Sequence, residues 1–341
     1  MATTSSLPTG NFAALRTYRD DDGRVETRLE RTCLDTLTPG DVVLRNAYAG
    51  INYKDCLSIT GRARIISRFP RIAGIEAVGE VVASTSDDFA PGTMAMVHGF
   101  QTGIDHDGGL AEFVRVPAAH LQRVPDGLSP FQAALLGVPG FTVAMALERF
   151  GELGVAPGDG VVAVSGASGA VGLLAIAILS RAGYRVAALT RQESLAPALR
   201  ALGAAEIVDT SGAAASTRPL EAPRFAAAID NVGGPVLSWL LRSLRDGGCV
   251  ASVGNAGGNT YEGSVLPFIM RRAQLFGVVA NAPWPQRRRL WTRLADDWRP
   301  DFDALVPWVH RRRLDEVPAH ALRQLDGATS GRALVCFDGA P

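Results

Sequence analysis

From about residue 160 to 280, short and nearly continuous apolar runs alternate with segments whose apolar positions recur at a helical period. The runs cover 160–165, 185–190, 205–209, 225–230, 248–254 and 275–280. Continuous apolarity means burial on both faces, as in parallel strands covered by helices. The pattern therefore predicts an α/β domain built on a six-stranded, doubly wound parallel sheet. Three of the intervening helices are legible. One at 170–182 closes at Gly183, one at 194–202 closes at Gly203, and one at 235–244 opens on Pro235 and stops before Gly247 and Gly248.

Residues 1–128 have a different texture. Alternating segments at 41–48, 77–84, 93–98 and 111–116 lie between Gly, Pro and Asp turns and predict an antiparallel β domain. Beyond 280 come an Arg-rich amphipathic stretch, 286–298, and a β-like run, 331–337, which has no local partner and is expected to pair back into the N-terminal domain. The expected organisation is thus 1–128, completed by 281–341, around a parallel-sheet domain at 129–280. The Ala/Ser/Thr stretch 212–217 reads as a surface loop.

Composition narrows the partners. With 47% hydrophobic and 20% charged residues, the 341-residue chain is neither a disordered segment, a fibre nor a disulfide scaffold. Lys+Arg and Asp+Glu both number 34, so no net field recruits nucleic acid or an anionic membrane. Residues 1–10 carry no basic and apolar leader pattern, and no apolar run near twenty residues stands out, which together set the expectation of a cytoplasmic protein with no nucleic-acid or membrane partner. Cys33, Cys56, Cys249 and Cys336 form no CxxC pair and read as buried thiols. Of the 34 basic residues 33 are Arg; Lys54 is the only lysine.

The first strand of the parallel set runs into Gly166-Ala167-Ser168-Gly169-Ala170-Val171-Gly172 and then a helix. Glycine at 169 lets a pyrophosphate approach the backbone and glycine at 172 lets the helix pack on the strand. The helix start meanwhile offers N–H donors and positive dipole. Ala167 replaces the first glycine of the G-x-G-x-x-G pattern. The second strand ends Thr190-Arg191, where a carboxylate would select NAD through its ribose 2′-OH; a cation and a hydroxyl there suit a 2′-phosphate instead, so NADPH is expected. The alternative is a solvated loop charge at Arg191.

Asn52-Tyr53-Lys54-Asp55, Gly74-Ile75-Glu76-Ala77-Val78-Gly79, Gly108 to Glu112, Gly137 to Thr142, the 166–172 loop, Pro267-Phe268-Ile269-Met270-Arg271 and Gly331-Arg332 resemble, over essentially the whole chain, the zinc-free branch of the medium-chain dehydrogenase/reductases that holds acrylyl-CoA reductases and quinone oxidoreductases. The resemblance implies a GroES-like antiparallel β domain plus a Rossmann domain, a homodimer, and NADPH-dependent reduction of an enoyl thioester or enone. It further implies cofactor contacts at Thr142, Ser168, Gly169, Ala170, Val171, Thr190, Arg191, Asn231, Asn255, Ile269 and Arg332. Asn52 and Ile75 stand where zinc-dependent members carry Cys and His ligands, and His98, His106, His120, His310 and His320 show no ligand spacing, so no metal is expected. The tyrosine that related enoyl reductases carry about eleven residues after this Asn is absent from 60–64.

Hydride addition to an enoyl thioester builds charge on its oxygen and requires a proton at the α-carbon, which makes Tyr53, Lys54 and Asp55, with Asn52, the catalytic candidates. Two structural roles compete with this: Asp55 capping the following helix beside an Asx turn at Asn52, and Lys54 pairing with Asp55 or Glu76. Arg62, Arg64, Arg68, Arg71, Arg271 and Arg272 are either a solvated face or a site for CoA phosphates.

Overall fold

The computed structural model describes residues 10–212 and 218–339. Residues 213–217 of the expected 212–217 loop, and 1–9 of the N-terminal segment, lie outside the described residues. The chain packs as two units, Met1–Val138 with Val309–Pro341, and Pro139–Trp308.

In the second unit six parallel strands take the order Ala204–Asp209, Arg185–Thr190, Val161–Val164, Phe225–Asp230, Leu244–Ser252, Gln274–Gly277. Strand order reverses at Val161–Val164, so the loops leaving this strand and Phe225–Asp230 open at the point where such sheets bind ligands. The helices Ala170–Arg181 and Gly234–Arg242 each follow one of these strands. Leu237, Leu240 and Leu241 bury their side chains against Phe225, Ala228 and Val250 of the sheet. The helix Trp284–Ala295 belongs to this unit rather than to the first, because it buries Leu290, Trp291 and Leu294, with Trp291 stacked 6.2 Å from Phe141.

In the first unit a three-stranded sheet, Val25–Thr32, Phe12–Arg19 and Arg71–Ile72, accompanies a seven-stranded one centred on Val42–Ile51 and Glu76–Ser84. The C-terminal strand Arg332–Cys336 pairs antiparallel with Val42–Ile51, bringing the chain's end back to this unit. Its other neighbour, Val309–Arg312, runs parallel to it, so the sheet is mixed rather than wholly antiparallel. Phe12, Leu15, Ile51, Ile59, Ile72 and Leu110 form one core cluster. Val42, Leu44, Val81, Val97 and Val114 form a second.

The helix Pro130–Glu152 corrects one sequence expectation: it is long and apolar enough to cross a membrane, and most of it is buried inside the protein. It is broken at Gly137, whose φ of 43° and ψ of −147° are non-helical.

Candidate active site

The second unit forms an anion cradle. Gly166 takes φ 58°, a left-handed conformation that favours glycine, and Gly169 N–H closes the turn onto Gly166 O at 3.0 Å. A Cβ on Gly172 would stand 2.8 Å from the Ala167 Cα, so that glycine is required for helix–strand packing. Among the described residues a Cβ on Gly169 would meet only the Gly166 carbonyl, at 3.4 Å, which leaves the backbone open to a ligand. The helix Ala170–Arg181 starts without a side-chain cap and without an acidic residue in its first turn. Its first N–H groups and dipole are therefore available to a pyrophosphate at Ser168, Gly169, Ala170 and Val171. These residues fit a dinucleotide.

A buried support holds the neighbouring loop. Ser165 Oγ donates to Asp230 Oδ1 at 2.6 Å, and Val232 and Gly233 N–H donate to the same carboxylate. Burial pushes the Asp230 carboxyl above its usual range against the pull of these donors. Asn231 N–H donates to Ser165 Oγ, and its Nδ2 donates to Ser165 O at 2.7 Å, which leaves its buried Oδ1 as an acceptor without a partner among the described residues. Neither Ser165 nor Asp230 was singled out from sequence, though an aspartate closing the apolar run Phe225–Asp230 is a readable signal. Thr142 is buried, whereas Asn255 and Ile269 are exposed.

Thr190 and Arg191 lie at the end of the second strand. Thr190 Oγ1 accepts from Gln192 N–H, and Arg191 is exposed with no carboxylate within 4.0 Å among the described residues. Arg191→Glu is expected to weaken NADPH binding by roughly 1–3 kcal/mol while leaving NADH nearly unchanged. An unaltered NADPH/NADH preference in a fluorescence titration would move the 2′-phosphate elsewhere.

In the first unit the Asn52–Asp55 turn opens the helix Tyr53–Thr60. Asp55 is 1% exposed, and its Oδ2 accepts from Asn52 N–H at 2.9 Å while Oδ1 accepts from Ile75 N–H at 2.9 Å. It thus caps its own helix in the geometry of a capping box. The Asn52 amide is enclosed: Nδ2 donates to Asp55 Oδ2 and to Glu76 Oε1 at 2.8 Å, and Oδ1 accepts from Arg332 Nη1 at 3.2 Å. Arg332, for which the resemblance implied a cofactor contact, is 2% exposed, and its Nη groups are given to Asn52, Glu76 and Ala134 O. Tyr53 is half-buried and Lys54 exposed. The pairing of Lys54 with Asp55 or Glu76 does not occur: Glu76 pairs with Arg332, Asp55 with N–H groups, and no carboxylate lies within 4.0 Å of Lys54 among the described residues.

Burial pushes the Asp55 carboxyl up to about 6, aided by the nearby Glu76 charge and opposed by its N–H donors. The folded chain therefore holds a proton between about pH 4 and 6 that the unfolded chain has released, so stability falls as pH rises through that window. Asp55→Asn is expected to flatten this slope, which amounts to at most roughly 3 kcal/mol, in urea midpoints measured from pH 4 to 7. An identical slope in the variant would assign the proton elsewhere.

Among the described residues no three His, Cys, Asp or Glu side chains are grouped to hold a metal ion. Ile75 supplies an alkyl group and Asn52 an amide already engaged, so the positions at which zinc-dependent relatives carry ligands do not fit that metal.

Residues 38–126 match the family described as Alcohol dehydrogenase GroES-like domain, and 170–296 match the one described as Zinc-binding dehydrogenase. The chain is 38% identical to a probable acrylyl-CoA reductase of Escherichia coli, over 92% of its own length and 96% of the relative's. It is 34% identical to a putative quinone oxidoreductase of Bacillus subtilis, over 95% and 98% respectively. The crystal structure of the yhdH oxidoreductase from Salmonella enterica in complex with NADP superposes with a TM-score of 0.89 at 37% identity, covering 96% of this chain and all of that one. With its GroES-like and Rossmann units and a cradle that fits a dinucleotide, the chain belongs to the medium-chain dehydrogenase/reductase family, in the branch of the acrylyl-CoA reductases and quinone oxidoreductases.

Proposed function

We propose that the chain reduces the α,β double bond of a short enoyl thioester such as acrylyl-CoA, or of an activated enone. The observation that carries this reading is the near-full-length likeness to an acrylyl-CoA reductase. Bound NADPH supplies the hydride for the β-carbon. Ser168, Gly169, Ala170 and Val171 hold its pyrophosphate and Thr190 and Arg191 its 2′-phosphate, while Thr142, Asn231, Asn255 and Ile269 serve the nicotinamide side. The Lys54 ammonium, with no carboxylate within 4.0 Å among the described residues, stabilises charge on the thioester oxygen or delivers the α-carbon proton, with Tyr53 beside the substrate. Asn52 and Asp55, bonded to their own neighbours, hold the turn.

Of the six arginines weighed as a CoA-phosphate site, four have structural partners. Arg62 pairs with Asp326, Arg71 with Asp107, Arg272 with Asp246, and Arg271 with the Arg242 and Leu244 carbonyls. Arg64 and Arg68 are exposed without a carboxylate within 4.0 Å among the described residues, and they are the cations left for phosphate. NADPH oxidation measured with acrylyl-CoA, a small enone and a quinone tests the reading. Turnover is expected to be fastest with acrylyl-CoA, with a KM that rises with salt while that of the enone does not. Turnover of the quinone alone would favour the activity that the Bacillus relative's name carries, and NADPH binding without oxidation of any of the three would make this a binding protein.

The same reading makes the protein a cytoplasmic homodimer. The four free cysteines suit a reducing compartment, and exposed Val265, Met270 and Val279 offer apolar surface to a second copy. A monomer in sedimentation would remove the dimer.

A further inference from the structure

In an uninterrupted α-helix the Val138 N–H would bond the Ala134 carbonyl. At the Gly137 break these two groups are taken up by side chains from elsewhere in the first unit: Val138 N–H donates to Glu76 Oε2 at 2.7 Å, and Arg332 Nη2 donates to Ala134 O at 3.0 Å. Arg332 Nη2 also pairs with Glu76 Oε1. A guanidinium and a carboxylate, 3% and 6% exposed, are thus inserted into one rung of the helix. Room for them comes from two glycines, because a Cβ on Gly50 or on Gly137 would collide with both Glu76 and Arg332. The same two side chains grip the Asn52 amide from its two ends, at Oδ1 and Nδ2, and Asn52 starts the helix that carries Tyr53 and Lys54.

We propose that Glu76 and Arg332 are positioning residues, an ion pair that fixes the Asn52–Lys54 turn to the break in the Pro130–Glu152 helix and thereby sets where Tyr53 and Lys54 stand during reduction. This rests on the function proposed above. It makes kcat, rather than NADPH affinity, depend on the pair.

The test measures kcat, KM, NADPH Kd and amide hydrogen exchange in Glu76→Gln, Arg332→Lys and Asn52→Ala. Glu76→Gln keeps the shape but turns an N–H₂ group either toward Val138 N–H or toward both Asn52 Nδ2 and Arg332. Its kcat is expected to fall about tenfold, its NADPH Kd to stay within about twofold, and its Val138 amide to exchange faster. Arg332→Lys keeps the charge but cannot reach Asn52 Oδ1 and Ala134 O together, so it should fall between Glu76→Gln and wild type. Asn52→Ala cuts the link and spares the inserted pair, so kcat should fall with Val138 protection intact, and this holds as a test even where Glu76→Gln fails to fold. Asp107→Asn, in a second buried ion pair among the described residues of this unit, serves as the comparison that loses stability and keeps kcat. Unchanged kcat in Asn52→Ala, or an NADPH Kd that rises in step with the loss of kcat, overturns the proposal. Should the wild-type chain reduce none of the three substrates, the functional reading fails, and Val138 exchange in Glu76→Gln still decides whether the pair holds the break.

Discussion

Replacing Arg332 by Met is expected to destabilise the protein by about 3–5 kcal/mol, because it leaves the Glu76 carboxylate buried without its cation. Glu76 is 4% exposed, its Oε1 loses the guanidinium, and the remaining donors, Asn52 Nδ2 and Val138 N–H, are neutral. A neutral hydrogen bond to a carboxylate offsets only part of the cost of removing it from water. The double variant Glu76→Gln/Arg332→Met removes both charges and is expected to recover most of the loss. Urea unfolding of the two variants at pH 7 checks this. A single-variant cost below about 1 kcal/mol, in the range of exposed pairs, would mean that water reaches the pair.

How far the fold could be read depended on where each segment buries its side chains. Arg185–Thr190 and Phe225–Asp230 begin and end where their apolar runs do, because a strand covered on both faces needs nothing else to mark it. The hairpin Phe12–Arg19 with Val25–Thr32 leaves a fainter mark on the sequence. Its second strand, VETRLERT, exposes most of its alternate positions, and only its period of two and the Asp-Gly at 22–23 betray it. The Pro130–Glu152 helix is hidden in the sequence because Gly137, Pro139 and Gly140 all argue against a helix, and because burial of most of it weakens the amphipathic period.

The candidate site divides in the same way. The 166–172 cradle is legible because strand, turn and helix are contiguous, and Asn52-x-x-Asp55 carries the spacing of a capping box. The ion pair that supports it joins residues 256 apart in sequence, and no local pattern connects them. Glu76 opens a strand that also carries Glu80, and Arg332 opens Arg332–Cys336; the sequence offers Glu76 as a partner for Lys54 and the resemblance offers Arg332 as a cofactor contact, and neither signal points to the other.

Lys54→Arg is expected to lower kcat by about 10² or more with NADPH affinity and the urea midpoint unchanged. The structure makes this substitution informative, because Lys54 is exposed in the first turn of its helix and has no carboxylate partner among the described residues, so arginine costs no contact there. Helix propensity does not separate the two residues, and an exposed exchange of this kind moves stability by no more than about 0.5 kcal/mol. What changes is the chemistry. An ammonium is a compact donor that can give up its proton, whereas a guanidinium is planar, larger and too basic to do so. A chain that uses arginine at 33 of 34 basic positions and lysine at this one has the composition expected if arginine fails there. Near-wild-type kcat in the variant would end the catalytic role of Lys54 and leave Tyr53 or a water molecule to deliver the proton.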